Sequence, residues 1–303
     1  MIEKNEFQCK IAAMLPNIEL RCWEPMSKHT SFKIGGPAEV MIFPKTVDQL
    51  IDVLKVSALL DCKTAILGAG TNILAPDEGI AGMVICLKDA FNDMQVMDDT
   101  TIRVGAGVTM ARAAVFAASH NLGGLEFAHG IPGTVGGGVY MNAGAYGGDI
   151  SMVCNRVDVV LPDGTQKTYT GEEMEFSYRH SRLEDDNAIV VYAQFRLTPK
   201  PEAEIREVMQ DLMGRRKTSQ PLDKPSAGSA FKRPATGYAA ALIDQTGLKG
   251  FSVGDAAVSE KHAGFVVNLG NATAKDVRAL LEEVAIRVRK ATGVELEPEV
   301  RIW

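Results

Sequence analysis

The chain has little of what export, membrane insertion or metal binding requires. Between Met1 and Lys10 it carries Glu3, Lys4, Glu6 and Lys10, where a signal peptide needs an apolar core. No stretch reaches the roughly 18 uncharged apolar residues of a bilayer span. Cysteine is sparse: the five residues Cys9, Cys22, Cys62, Cys86 and Cys154 form no Cys-x-x-Cys pair and no Cys/His pair at ligand spacing. They predict reduced thiols, and a cytoplasmic location is expected. His129, His180 and His262 also lack ligand spacing, so no metal is assigned. Positive charge is not in excess either: 32 basic against 38 acidic side chains give a net charge of −6. That balance provides no global field for nucleic acid or an anionic membrane, and any basic site must be local.

What the chain has in abundance is glycine, in one place. Ten of its 29 glycines fall between Gly123 and Gly148. Glycine serves where φ must be positive or where backbone approaches a ligand with no Cβ between, and successive N–H groups in such turns form anion-binding concavities. A phosphate-bearing cofactor is the first expectation. Leu125, Phe127, Ile131, Val135, Val139 and Met141 make the run too apolar for a solvated linker.

The 303 residues, 46% hydrophobic and 23% charged, suit a soluble protein of two or three domains. Helical and extended patterns alternate and predict an α+β or α/β protein. Thr46 is placed to cap a helix with a stripe of Val47, Leu50, Ile51, Leu54 and Ala58. Thr64–Leu67, Met83–Leu87, Thr101–Val104 and Val157–Leu161 read as strands, the last turning at Pro162–Gly164 into Gln166–Tyr169 as a hairpin. Ala111–His120 predicts an alanine-rich helix leading into the glycine run. Composition shifts at Thr198–Pro201, where a domain boundary is expected, followed by a helix ending in Arg215-Arg216-Lys217. Beyond lie a polar loop from Ser219 to Pro234, a short helix near Tyr238–Gln245, a strand Gly264–Asn268 and a long helix. The long helix opens at Thr273-x-x-Asp276, buries Val277, Leu280, Leu281, Val284 and Val288, and stops at Gly293.

Two Gly-x-Gly turns invite a dinucleotide-binding reading, and both fail it. In Leu67–Ile73 the third fingerprint position is Ile73, and Pro76 prevents a helix directly after. In Val104–Met110 the third position is Met110. Any dinucleotide must be held in another way.

The motifs Leu67–Leu74, Gly130–Gly137 and Asn142–Gly147 resemble the FAD-binding core of the p-cresol methylhydroxylase type, and specifically that of the UDP-N-acetylenolpyruvoylglucosamine reductase family. The resemblance extends in order through Thr30–Pro37, Phe176–Ser181, Arg215–Pro221, Gly228–Pro234, Lys261–Phe265 and Glu297–Ile302, nearly the whole chain. It implies an α+β two-subdomain flavin fold (1–88 and 89–199) plus a C-terminal α+β substrate domain (200–303) whose last residues return to the active site. The length suggests the shorter subgroup, without a tyrosine-bearing substrate loop. The implied reaction is cell-wall precursor synthesis: NADPH reduces non-covalent FAD, and the flavin passes a hydride to UDP-N-acetylglucosamine enolpyruvate, giving UDP-N-acetylmuramate. A monomer is expected, with no nucleic-acid or membrane partner.

The resemblance carries Arg179 over as the holder of the substrate carboxylate, Ser229 as proton donor and Glu299 as the acidic partner at the carboxylate. Read alone, each is more simply a surface arginine, a turn serine and a solvated glutamate. It also implies FAD contacts at Gly68, Ala69, Gly70, Thr71, Asn72, Ile73, Gly130, Ile131, Pro132, Gly133, Thr134, Gly136, Gly137, Asn142, Gly144, Ala145 and Tyr146. Substrate contacts are implied at Tyr178, Arg179, Arg215, Lys232, Arg233 and His262. For Arg215, helix capping and diphosphate contact stand side by side. Hydride addition puts charge on the carbon beside the carboxylate, so a bidentate arginine suits the transition state. The chain departs from its relatives at His129, often alanine; at Arg233, asparagine in some; and at Trp303, where they often continue. The rival readings are another flavin oxidase or dehydrogenase of this fold and a non-catalytic UDP-sugar-binding module.

Overall fold

Two clusters of buried apolar side chains organise the chain, whose computed structural model describes residues 5–303. They correspond to two compact units, each assembled from segments far apart in sequence. The first takes the chain up to Cys22, Val40–Ala69 and Gly82–Arg215; the second takes Trp23–Glu39, Gly70–Ala81 and Arg216–Trp303.

In the first unit, helix α1 (Glu6–Met14) starts on an Asn5/Gln8 capping box. Helix α2 (Val47–Leu59) starts where Thr46 accepts the Gln49 N–H, as expected. Its buried face is Leu50, Val53, Leu54, Val56 and Ser57, rotated from the expected stripe, and Ala58 is exposed. Ser57 Oγ donates to the Cys62 carbonyl at 3.0 Å where the helix ends, which turns Ser57 rather than Ala58 inward. Thr64–Leu67 pairs in parallel with Met83–Cys86 in a four-stranded sheet ordered Glu19–Pro25, Pro37–Phe43, Ile80–Cys86, Thr64–Leu67, of which the parts up to Cys22, from Val40 and from Gly82 belong to this unit. An antiparallel five-stranded sheet follows, ordered Gln166–Thr170, Cys154–Val160, Ile189–Arg196, Thr101–Gly105, Met94–Val96. It contains the expected hairpin, with Val157 opposite Tyr169.

Helix α3 (Met110–Ser119), capped by Thr109, buries Ala113, Ala114, Ala117 and Ala118; small side chains let it lie close to its neighbours. The glycine run holds a short helix α4 (Val135–Tyr140), capped by Thr134, and α5 (Arg182–Asp185) lies farther on. Helix α6 (Glu202–Ser219) runs two residues past the expected Lys217 end and buries Ile205 and Met209 in the first cluster.

The second unit is built on helices α7 (Ala239–Gln245) and α8 (Ala274–Thr292) and a four-stranded sheet. The capping box of Thr273 and Asp276, the left-handed Gly293 and the buried stripe from Val277 to Val288 are all as expected. Each fully buried Val or Leu of that stripe stabilises by about 1.5–3 kcal/mol. Asp77 adds a second cap from another part of the chain: its carboxylate accepts the Ala274 and Lys275 N–H groups at 2.8 and 3.0 Å. The sheet is ordered Ser226–Ser229, Phe265–Asn268, Ala256–Val258, Ser252–Val253. Its first strand lies inside the segment expected to be loop. The strand has no β-branched residue and carries an irregularity between Ser226 and Ser229; pairing with Phe265–Asn268, not local propensity, makes it extended. A parallel pairing of Arg301–Ile302 with Ile73–Leu74 completes the unit. Buried Asn268 ties it together, donating to the Phe32 carbonyl and accepting the Gly270 and Ala272 N–H groups.

Candidate active site

The two glycine motifs of the first unit come together. At Gly68 a Cβ would lie 2.7 Å from Thr134 Oγ1, so only glycine lets the Leu67–Ala69 turn approach the head of α4 this closely. Gly133 has φ of +131° and feeds into buried Thr134. Among the described residues no protein acceptor takes the Gly133 or Thr134 N–H. The next two amides are committed, Val135 to the Val108 carbonyl and Gly136 to that of Ala106, and Ile131 N–H goes to Ala128. The Gly137 N–H makes only a long 3.5 Å contact with Thr134 Oγ1. Gly130 closes a 3-10 turn, Glu126–Gly130, in which buried His129 Nδ1 has no partner. Burial holds the His129 pKa below its ordinary value, assisted by the charge of Arg206.

After α4 the chain forms a two-stranded ribbon, Gly144–Ala145 against Gly148–Asp149, turned by Tyr146 and Gly147 with φ of +54° and +87°. Asn142, buried and also left-handed at +41°, spends its side chain on protein: Nδ2 donates to the Ser177 carbonyl at 2.9 Å and Oδ1 accepts the Ser151 N–H at 2.9 Å. That brings Arg179 to the glycine run. Ser177 and His180 exchange backbone hydrogen bonds around a two-residue turn with exposed Tyr178 and half-buried Arg179 at its tip. Arg179 is left-handed at +57°, its guanidinium lies 4.9 Å from the Tyr178 ring, and it donates to the Gly144 carbonyl at 3.4 Å. Ser181, fully buried, donates from Oγ to the Tyr140 carbonyl at 2.8 Å.

In the second unit Ser229 and Glu299 are neighbours by backbone. Exposed Ser229 pairs with Phe265, and the carbonyl of the next residue, Ala230, accepts the Glu299 N–H at 2.9 Å. The Glu299 carbonyl in turn accepts from Asn72 Nδ2 at 3.1 Å. Gly70 belongs here as well, its carbonyl accepting the Ser31 N–H at 3.0 Å, and Ile73 lies opposite Arg301. Lys232 pairs with Glu297, and Arg233 stacks over Tyr238 at 4.2 Å. His262 sits edge-on to Phe265 and accepts the Gly264 N–H at Nδ1. Burial lowers its pKa and so favours the neutral ring. In the first unit, Arg215 pairs with Asp211 one turn back along α6, at 2.8 Å.

Donor pairs without protein acceptors, beside a glycine that admits no Cβ, are what a diphosphate-bearing cofactor needs. Residues 38–170 match the family described as FAD binding domain, and residues 220–303 match UDP-N-acetylenolpyruvoylglucosamine reductase, C-terminal domain. A UDP-N-acetylenolpyruvoylglucosamine reductase of Agathobacter rectalis is 45% identical, covering 98% of this chain and 98% of its own. The chain belongs to the UDP-N-acetylenolpyruvoylglucosamine reductase family. The reductase of Syntrophomonas wolfei is 42% identical over 97% of this chain and 98% of its own. The crystal structure of the Thermus caldophilus reductase (MurB) superimposes with a TM-score of 0.78 at 36% identity, covering 95% of this chain and 99% of that one. The α+β flavin fold with the reductase family's C-terminal domain is therefore the fold of this chain. Among the described residues, no helix is long and apolar enough to cross a membrane.

Sequence reasoning missed the side-chain bonds of Asn142, Ser181 and Asp77. Asn142 had a weak signal, since asparagine tolerates the left-handed region and bonds locally to backbone. Asp77 had none, because its partners lie 197 and 198 positions away.

Proposed function

We propose that the chain catalyses the reaction of its family, the NADPH-dependent, FAD-mediated reduction of UDP-N-acetylenolpyruvoylglucosamine to UDP-N-acetylmuramate in peptidoglycan precursor synthesis. The observation that carries this is kinship along almost the full length of both chains, joined to a glycine cradle whose Gly133 and Thr134 amides are left for a ligand. Bound FAD supplies a two-electron relay, taking hydride from NADPH and giving it to the enolpyruvyl methylene carbon. In this reading residues 1–88 and 89–199 hold the flavin and 200–303 serve the substrate. The protein is taken to be a cytoplasmic monomer of the shorter subgroup, without a nucleic-acid partner.

The chain's own residues hold the diphosphate, orient the carboxylate and deliver a proton. The Gly133 and Thr134 amides donate to the cofactor's diphosphate. The Arg179 guanidinium takes the substrate carboxylate, onto which charge spreads as the double bond is reduced, and stabilises that charge where it develops. Ser229 Oγ–H protonates the carbon beside the carboxylate; a carbanion is basic enough for a hydroxyl to serve, and water restores the proton. Glu299 stands at the same carboxylate, where a second negative charge requires that it be protonated or bridged. What supports these roles is the fixed backbone of each: a clamped turn at Arg179, and two bonds holding Glu299 beside the Ser229 strand.

The test is the spectrum of the purified protein, then anaerobic NADPH addition, then the enolpyruvyl compound. A flavin spectrum bleached by the first and restored by the second is expected. A colourless protein that binds UDP-sugar, or flavin released only by cleavage of a covalent bond, would overturn the proposal.

A further inference from the structure

The Ser177–Ser181 turn is held at both feet and at its tip by the segment just after α4. Asn142 Nδ2 donates to the Ser177 carbonyl at one foot, at 2.9 Å, and Ser181 Oγ donates to the Tyr140 carbonyl at the other, at 2.8 Å. Both donor side chains are buried, Asn142 4% and Ser181 0% exposed, which limits the competition of water for these two bonds. The tip is Arg179, left-handed at +57°. A non-glycine residue in that region costs on the order of 1–2 kcal/mol and persists only where its surroundings determine it. Here the surroundings include those two side chains and the 3.4 Å bond from Arg179 to the Gly144 carbonyl. Asn142 spends one Nδ2 hydrogen on the Ser177 carbonyl and one Oδ1 lone pair on the Ser151 N–H, and its own left-handed φ of +41° is one that asparagine tolerates.

We propose that Asn142 and Ser181 are positioning residues that staple the Arg179 turn to the Tyr140–Gly144 segment, so that the guanidinium is preset for a carboxylate and the enzyme distinguishes carboxylate-bearing from carboxylate-free UDP-sugars. This rests on the reading of Arg179 as the carboxylate's partner. An arginine with long rotatable stem loses entropy when it pairs; a preset turn reduces that loss and sharpens selection. The staple acts through Arg179 and touches no reacting atom itself.

The experiment uses flavin-loaded Asn142→Gly, which keeps a left-handed backbone at no cost and removes both side-chain bonds, and Ser181→Ala, which removes one hydroxyl. Dissociation constants are measured by calorimetry for UDP-N-acetylmuramate, which has a carboxylate, and UDP-N-acetylglucosamine, which has none. Each variant should weaken the first ligand by about fivefold or more, the worth of at least one intramolecular hydrogen bond. The second should stay within about twofold, and in Ser181→Ala flavin content and flavin reduction by NADPH should be unchanged. Equal weakening of both ligands, or of neither, overturns the staple. Lost flavin in Asn142→Gly with Ser181→Ala silent also overturns it, since Asn142 is then a cofactor ligand. If Asn142→Gly does not fold, Ser181→Ala decides alone. Arg179→Ala separates the two claims: if it leaves the ratio of the two constants untouched, the reading of Arg179 fails and takes the staple with it. If it collapses the ratio while the staple variants do not, the staple alone fails.

Discussion

The side-chain amide of Asn72 donates to the backbone carbonyl of Glu299 at 3.1 Å, so the Gly70–Asn72 turn holds the residue proposed to sit at the substrate carboxylate. Asn72→Ala should cost about 0.5–1.5 kcal/mol, the net worth of such a bond. It should also slow flavin reoxidation by the enolpyruvyl compound more than flavin reduction by NADPH. Urea unfolding and stopped-flow absorbance check the two parts. A variant of full stability and equal rates would mean that the Glu299 backbone needs only its bond to Ala230.

Ser229 is exposed on a strand paired with Phe265, and alanine fits there without loss of packing. Ser229→Ala should therefore fold normally, keep NADPH reduction of FAD, and slow the second half-reaction by about 10²–10⁴-fold, the usual contribution of a positioned acid. Loss of both half-reactions in equal measure would point to the flavin site and remove Ser229 from the chemistry.

Gly133 combines a φ of +131° with an amide that no described residue accepts. Gly133→Val strains that backbone and crowds the cradle, so the purified variant should be colourless. Circular dichroism distinguishes an empty folded protein from an unfolded one. Full flavin in a folded variant would move the cofactor's diphosphate elsewhere.

His262 gives a dependence on pH. Burial holds its pKa below the ordinary 6.5, while the unfolded chain titrates near that value. Between the lowered value and 6.5 the unfolded state binds more protons, so stability falls as pH drops through that window and levels off below it. Protonation also removes Nδ1 as the acceptor of the Gly264 N–H. His262→Asn should lose less stability than the parent between about pH 7 and pH 5, with His129 keeping part of the slope. Urea midpoints across that range measure it, and parallel slopes would show that His262 titrates normally in the folded protein.

Local signals in the chain were legible. Thr46 and the Thr273/Asp276 pair cap the helices expected of them, Gly293 ends α8, and the Gln166–Thr170 hairpin closes as read. The glycine run marked the cradle because glycine density is a local statement about backbone. Donor availability was not legible: Gly136 looks like Gly133 in sequence, yet the Ala106 carbonyl takes its amide. The Ser226–Ser229 strand was hidden for the same reason, since its extended form comes from Phe265–Asn268 and not from its own small residues. Arg179 was placed by family resemblance; the clamp around it involves Asn142 and Ser181, 35 and 41 positions from their bonding partners, and only the fold brings them together.

The second unit is threaded from three separated stretches, and this orders its birth in time. Asp77 emerges 197 positions before Ala274, whose N–H it caps. At a synthesis rate of about 5–20 residues per second, that interval lasts on the order of 10–40 s. During it Ile73–Leu74 has no Arg301–Ile302 beside it, and Asn72 has no Glu299 carbonyl to reach. The segment that fixes the Glu299 backbone is thus made early and paired late, and Ile73–Leu74 stays without a strand partner until Arg301 and Ile302 have emerged.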